Sequence, residues 1–344
     1  MKEKELKTKK HKMGKLEYSL IILVVVFLFS LIIGRYSLDI KKVFNTLRQL
    51  IFGTKSVKGN DWRVFYYIRL PRIILVMAVG SALSVTGSVY QSIFHNPLVS
   101  PNILGVSAGA GFGVALGMLI TEGSIFWIYG LSFIFGVIAV ALTFFISKLS
   151  QGQNVMKMVL AGIVVSSLFN AMLSILKYLA DPLDELPGIV FWLMGGFSRA
   201  SWQEVKFILP LIVVGIIIIY LMRWYLNVMS MGDEEAISMG VNVKLIRILL
   251  ISFSTFMVAA SVAATGQITW IGLVIPHIAR YLVGSDHKIM IPQTIILGPI
   301  FLLIMDNIAR TLTSAEIPIS IITAFVGAPF FAYLLITRKD SGWG

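Results

Sequence analysis

The 344-residue sequence contains no cysteine, which excludes disulfide staples, a thiol nucleophile and thiolate metal sites. Charge is scarce too. Only 13% of residues are Asp, Glu, Lys or Arg, against about a quarter in soluble domains. Acids are the scarcer sign, 17 against 29 bases. The GxxxxGK[ST] phosphate loop is missing, so the chain shows no nucleotide site of its own. An HExxH pair is missing as well, and the four histidines are scattered. No catalytic residue, resident metal or cofactor is expected. A net charge of +12 could suggest nucleic acid, but seven lysines crowd the first fifteen residues and nine bases lie between Arg35 and Arg72. Charge clustered at the edges of apolar runs is interfacial and topogenic, so no nucleic-acid partner is expected.

What is abundant is apolar sequence. Hydrophobic residues make up 57% of the chain, and the mean hydropathy is +0.86. Runs long enough to span a bilayer fall at 17–34, 68–92, 103–120, 125–147, 157–180, 204–224, 245–265, 269–283, 290–311 and 319–337. The expected fold class is therefore all-α. It is a polytopic membrane protein with about ten transmembrane helices in a single domain over 1–344, because lipid leaves no water for unpaired backbone groups. The first run is followed by GRYS rather than a small-x-small cleavage site, so it reads as an uncleaved span. The eighth run is short and carries Pro276 and His277, as a broken or partly inserted helix does. His277 reads as a helix-packing side chain before a ligand.

Ten spans put both termini on one side. Lys148, Lys157, Arg223, Lys244, Arg247, Lys288, Arg338 and Lys339 share that side with the N-terminal lysines, and it is expected to be cytoplasmic. Residues 1–16 form a basic cytoplasmic tail. Segment 35–66 is expected to be extracellular and amphipathic, although its basic charge runs against the positive-inside rule.

Several stretches carry candidate roles. In QSIFHNPLVSPNILGVSAGAG, Gln91 to Gly111, Pro97 and Pro101 make a stiff turn, and Asn96 can cap freed backbone groups. Gly105, Gly109, Gly113 and Gly117 follow at spacing four, one small helix face for close packing; Gly80, Ser84 and Ser88 do the same one span earlier. In RLPR, Arg69 and Arg72 project from one side near a helix start. They either snorkel to headgroups or form a docking patch for an acidic partner. Asp306 and Arg310 can pair at i,i+4. Ser167, Asn170 and Ser174, with Lys177, form a polar stripe that either lines an aqueous path or bonds a neighbouring helix. In MGDEEAISMGVNVKLIR, Asp233 can cap a short helix, Glu234 and Glu235 suit its N-terminal dipole, and Gly240 can end it.

Together these stretches resemble the FecCD-type permeases of ATP-binding-cassette importers for iron–siderophores, haem and cobalamin. The resemblance rests on the segment from RLPR through SAGAG, then MGDEEAISMGV, GQITWIGLVIPHIARYLVGSDHK, LGPIFLLIMDNIAR and EIPISIITAFVGAPFFAYLL, in order between Arg69 and Leu335. One position departs, Trp270 standing where the family has a phenylalanine. The resemblance implies the type II importer permease fold in a bacterial cytoplasmic membrane. It implies a second permease subunit, identical or paralogous, two ATPase subunits that hold ATP and Mg, and an external solute-binding protein. Arg69, Arg72 and Arg310 would then meet acidic residues of the binding protein. The loop 225–245 would carry the ATPase-coupling helix with Asp233, Glu234, Glu235, Ala236, Met239 and Gly240. The loop holding Gln151, Gln153 and Asn154 would be the cytoplasmic gate. An iron–siderophore is the expected cargo and haem or cobalamin the alternative. An ion-gradient-driven transporter is disfavoured, since Asp306 is the only carboxylate well inside a predicted span.

Overall fold

A computed structural model of the chain describes residues 2–36, 59–121, 124–149 and 155–337. Every regular element among them is helical. In chain order they are α1 (Lys2–Ile32), α2 (Asn60–Ile93), α3 (Val106–Ile120), α4 (Ile125–Leu149), α5 (Val155–Leu179), α6 (Glu185–Leu193), α7 (Trp202–Met229), α8 (Asp233–Ser238), α9 (Val243–Thr265), α10 (Ile271–Val283), α11 (His287–Thr311) and α12 (Ile319–Thr337). Seven are long and apolar enough to cross a membrane, and α3, α10 and α12 contain shorter apolar helices. These ten correspond to the ten apolar runs of the sequence.

The centre of the bundle is α2, packed against α7, α9, α10 and α11. Small residues allow this. A Cβ on Gly80 would stand 2.7 Å from the Gly298 carbonyl oxygen, and one on Gly87 would stand 2.0 Å from that of Gly272. Backbones that approach so closely gain the dispersion contacts that hold helices together in lipid. The helix starts earlier than expected, so residues 60–66 of the anticipated extracellular segment belong to α2, while 37–58 lie outside the described residues. Its ladder widens to a π-turn over Val64–Arg69, just before Pro71. Proline has no N–H to donate and its ring crowds the carbonyl four residues back.

The glycines of α3 serve two purposes. A Cβ on Gly109 would lie 2.3 Å from the Phe135 oxygen, one on Gly113 2.3 Å from the Leu131 oxygen, and one on Gly117 2.9 Å from the Ile128 Cα. These three form the groove that receives α4. Gly105 differs. Its φ of +83° joins the 3₁₀ turn Pro101–Leu104 to α3, a left-handed conformation that glycine adopts without a Cβ penalty.

One helix escaped the hydropathy reading. The nine residues of α6 are too few to span. Beyond its end, the Gly196 N–H donates to Thr265 O at 2.8 Å and the Ile319 N–H donates to Gly195 O at 3.0 Å. Irregular backbone is tolerated at depth where such partners exist.

Candidate functional site

The bundle has two polar ends. At one of them sits α8, a six-residue helix far too short to be stable alone. Three devices hold it. Gly240, with φ +79°, closes it: the Gly240 N–H donates to Ile237 O at 2.9 Å and the Val241 N–H to Ala236 O at 3.0 Å, the paired bonds of a Schellman motif. Ala236 and Val241 are buried beneath. Arg247 of α9 then grips Asp233 through Nη2, at 2.6 and 2.9 Å from its two carboxylate oxygens. Asp233 is therefore not the helix cap expected from the sequence. Gly232, with φ +125°, occupies the cap position, and Asp233, Glu234 and Glu235 fill the first turn, where carboxylates suit the dipole. Met231, Ile237 and Met239 remain more than half exposed, an apolar knob on the outside of the bundle.

The proline turn lies beside α8. His95, with φ +47°, sets its Nε2 2.8 Å from Met229 O, the last carbonyl of α7. Asn96 Oδ1 accepts the Leu98 N–H at 2.9 Å, an Asx turn that fixes the irregular segment leaving α2. One helix over, Asn227 Oδ1 accepts the His287 N–H at 2.7 Å, and Asn227 Nδ2 donates to Asp286 Oδ1 at 2.7 Å. Ser92 of α2 contacts the His287 ring. Partial burial works against the charge of Asp286, but the bonds from Asn227 and the Lys288 N–H outweigh it and hold the carboxyl below its ordinary range. The ends of α2, α7 and α11 are thus knotted together next to α8.

At the opposite end lies a buried arginine cluster. Arg72 donates from Nη2 to Asp306 Oδ1 at 2.8 Å and from Nε to both carboxylate oxygens at 3.1 and 3.2 Å. Its Nη1 and Nη2 reach Glu316 at 2.9 and 3.0 Å. Arg69 donates to the carbonyls of Leu31, Ile32 and Tyr36. Arg310 donates to Ser30 O at 2.6 Å and to Asn307 Oδ1. Two arginines therefore cap the carbonyls that α1 leaves unpaired at its C-terminus. Arg69, Arg72 and Arg310 are 3%, 7% and 5% exposed, which corrects the expectation of a surface patch projecting from RLPR. The Asp306–Arg310 pair exists at 3.7 Å, but Arg72 is the nearer partner. Glu316 gave no signal in the sequence, being a lone acid in a loop.

The remaining candidates lie apart. Ser167, Asn170 and Ser174 sit on an exposed face of α5, with the serine hydroxyls returned to the carbonyls of Ile163 and Asn170 at 2.9 Å each. Gln151, Gln153 and Asn154 lie outside the described residues. His277 bonds Leu273 O through Nδ1 at 2.8 Å and meets the Phe331 ring edge-on.

Among the described residues, ten apolar helices around a small-residue core, with a short helix braced at one polar end, are the architecture of a polytopic membrane protein. The sequence profile of the FecCD transport family matches residues 22–337, and the chain belongs to that family. Molybdate import system permease protein MolB of Haemophilus influenzae is 39% identical over 329 residues, 94% of this chain and 95% of its own. A Helicobacter pylori protein named "Probable iron chelatin transport system permease protein" is 33% identical over 84% of this chain and 94% of its own. A solved structure described as "An inward-facing conformation of a putative metal-chelate type ABC transporter" superposes with a TM-score of 0.85 at 37% identity, covering 94% of this chain and 99% of that one. Permeases of this kind work with a partner permease and with ATPase subunits.

Proposed function

We propose that the chain forms half of the membrane pathway of an importer for a chelated metal, with an iron–siderophore as cargo. A solute-binding protein delivers the cargo at the end that holds the arginine cluster. Two ATPase subunits, which carry ATP and Mg, act at the α8 end, the cytoplasmic side on which both termini lie. The observation behind this is α8 itself: a braced helix that presents Met231, Ile237 and Met239 outward is built to pass force between a partner and α9. ATP-driven closure of the ATPases presses on α8, and the Asp233–Arg247 pair hands that motion to the bundle. The gate loop with Gln151, Gln153 and Asn154 and the polar face of Ser167, Asn170 and Ser174 then control and line the path. Metal-chelate and iron-chelatin relatives support the cargo.

A second reading, import of a molybdenum oxyanion, is favoured by the 39% identity to a molybdate permease. One experiment separates the two. Uptake of radiolabelled iron–siderophore and of radiolabelled molybdate is compared in starved cells with and without the gene. Loss of iron uptake, restored by the gene but not by a Glu234→Lys/Glu235→Lys copy, supports the first reading. Loss of molybdate uptake alone selects the second. Transport that survives ATP depletion defeats both.

A further inference from the structure

A cavity of about 380 Å³ opens between α4, α5, α9 and the proline turn. Its lining runs from charged to apolar. At one edge stand Lys148, Lys244 and Arg247, and below them lie Phe94, Phe144, Phe145, Met158 and Ile248. The order follows the helices. Lys148 is the penultimate residue of α4 and Lys244 the second of α9, so both ammonium groups belong to the α8 end. Phe144 is one turn, about 6 Å, deeper along α4, and Ser252 about 12 Å deeper along α9. Phe145 and Ile248 are 60% and 42% exposed, so the cavity is open on the side of those two residues. Among the described residues that line it there is no carboxylate.

Arg247 gives the charged edge its anchor. The residue is 8% exposed, and while Nη2 is taken by Asp233, its buried Nε has no hydrogen-bond partner. Arg247 itself lines the cavity, so its positive charge stands at the same edge as those of the two lysines. Lys148 and Lys244, both exposed, line the same cavity.

We propose that this cavity binds an anionic phospholipid of the adjoining leaflet. The phosphate lies against Lys148, Lys244 and Arg247, and an acyl chain runs down over Phe144, Phe145, Met158 and Ile248. Cations at the interface with an apolar floor beneath match the two parts of such a lipid in their order along the membrane normal. A zwitterionic lipid offers the same chains without the net charge, and free phosphate offers the charge without the chains. The site depends on the membrane setting of the chain and not on its cargo. Because Arg247 also holds α8, the bound lipid steadies the residue that braces that helix.

The test is native mass spectrometry of the delipidated importer complex, titrated with dioleoyl phosphatidylglycerol, dioleoyl phosphatidylcholine and inorganic phosphate. Phosphatidylglycerol should bind at least about tenfold more tightly than phosphatidylcholine. A Lys148→Gln/Lys244→Gln variant should weaken it roughly thirtyfold, the loss of two interfacial cations at about 1 kcal/mol each. Ile248→Trp fills the apolar part without changing charge and should also reduce binding. The lysines are exposed, so their variant keeps its fold, which an unchanged melting temperature checks. Equal binding of both lipids, or unchanged binding in the lysine variant, overturns the proposal. So does saturation by phosphate at the lipid's affinity. Binding seen only after the ATPase subunits are stripped away assigns this face to the subunit contact and overturns it as well.

Discussion

Arg72 on α2 and Asp306 on α11 lie 234 residues apart in the chain and 2.8 Å apart in the fold, both buried. The pair is the tie that fixes the central helix to α11 at the end away from α8. A buried pair that loses one member leaves an uncompensated charge, at a cost of about 3–5 kcal/mol. Asp306→Asn should therefore lower thermal stability in detergent by an amount of that order. Arg72→Met combined with Asp306→Leu should recover only part of it, since the pair's own desolvation cost goes but Glu316 and the buried Arg310 lose their partners. A double variant no more stable than the single one would show that the charge, not the packing, is required. Charge reversal at Arg72 is for the same reason a poor probe of binding-protein docking, because it breaks the fold before it reports on a partner.

The α3–α4 contact gives an internal control. Gly113 faces the Leu131 carbonyl at a distance no Cβ tolerates, whereas a Cβ on Gly130 of α4 would meet nothing within 4 Å. Gly113→Val should destabilise by about 1–3 kcal/mol through overpacking. Gly130→Ala should be neutral or slightly stabilising, by up to about 1 kcal/mol from helix propensity. Thermal unfolding of the two variants side by side reads the difference.

Much of this was legible in the sequence. Hydropathy placed all ten apolar helices because lipid imposes length and apolarity on each one separately. The helical spacing of Gly109, Gly113 and Gly117 marked a packing face, and Gly240 marked the end of α8. What the sequence hid were relationships between distant segments. Arg72 looked like a surface cation because nothing local announces Asp306 or Glu316. Asp233 looked like a cap because its partner, Arg247, comes fourteen residues later with no periodic signal. Glycine at spacing four does not reveal that Gly105 is needed for its backbone angle rather than for packing. The nine residues of α6 were missed because hydropathy detects spans and α6 is too short to be one; the backbone bonds to Thr265 and Ile319 are made by Gly196 and Gly195 just beyond it.

The brace on α8 predicts its dynamics. Asp233 is about 42% exposed at its side chain and Arg247 9%, so their ion pair sits between the surface and buried cases and contributes roughly 1 kcal/mol. Asp233→Ala should raise amide hydrogen exchange across residues 232–241 about fivefold. The Schellman bonds at Gly240 stay in place, so the helix should loosen without vanishing. Gly240→Val, which forces a β-branched residue into the left-handed region, should have the larger effect. If Asp233→Ala leaves exchange unchanged, the ion pair does not hold the helix.

Asp286 sets an acid limit on the same end of the bundle. Its carboxyl is held below the ordinary carboxylate pKa, burial opposing the shift and the bonds from Asn227 and the Lys288 N–H overcoming it. A group whose folded pKa is depressed contributes stability above its unfolded pKa, about 3.9 for Asp, and loses that contribution as pH falls through the folded value. Wild type and Asp286→Asn should therefore differ by a constant margin from about pH 5 upward. The two curves should converge below the ordinary carboxylate range. The asparagine side chain keeps an acceptor for the Lys288 N–H, so what is lost is the charge and not the cap. Melting temperatures across that range measure the margin directly. A margin that persists unchanged into acid would mean that Asp286 acts through shape alone, and that the junction of α7 and α11 does not depend on its charge.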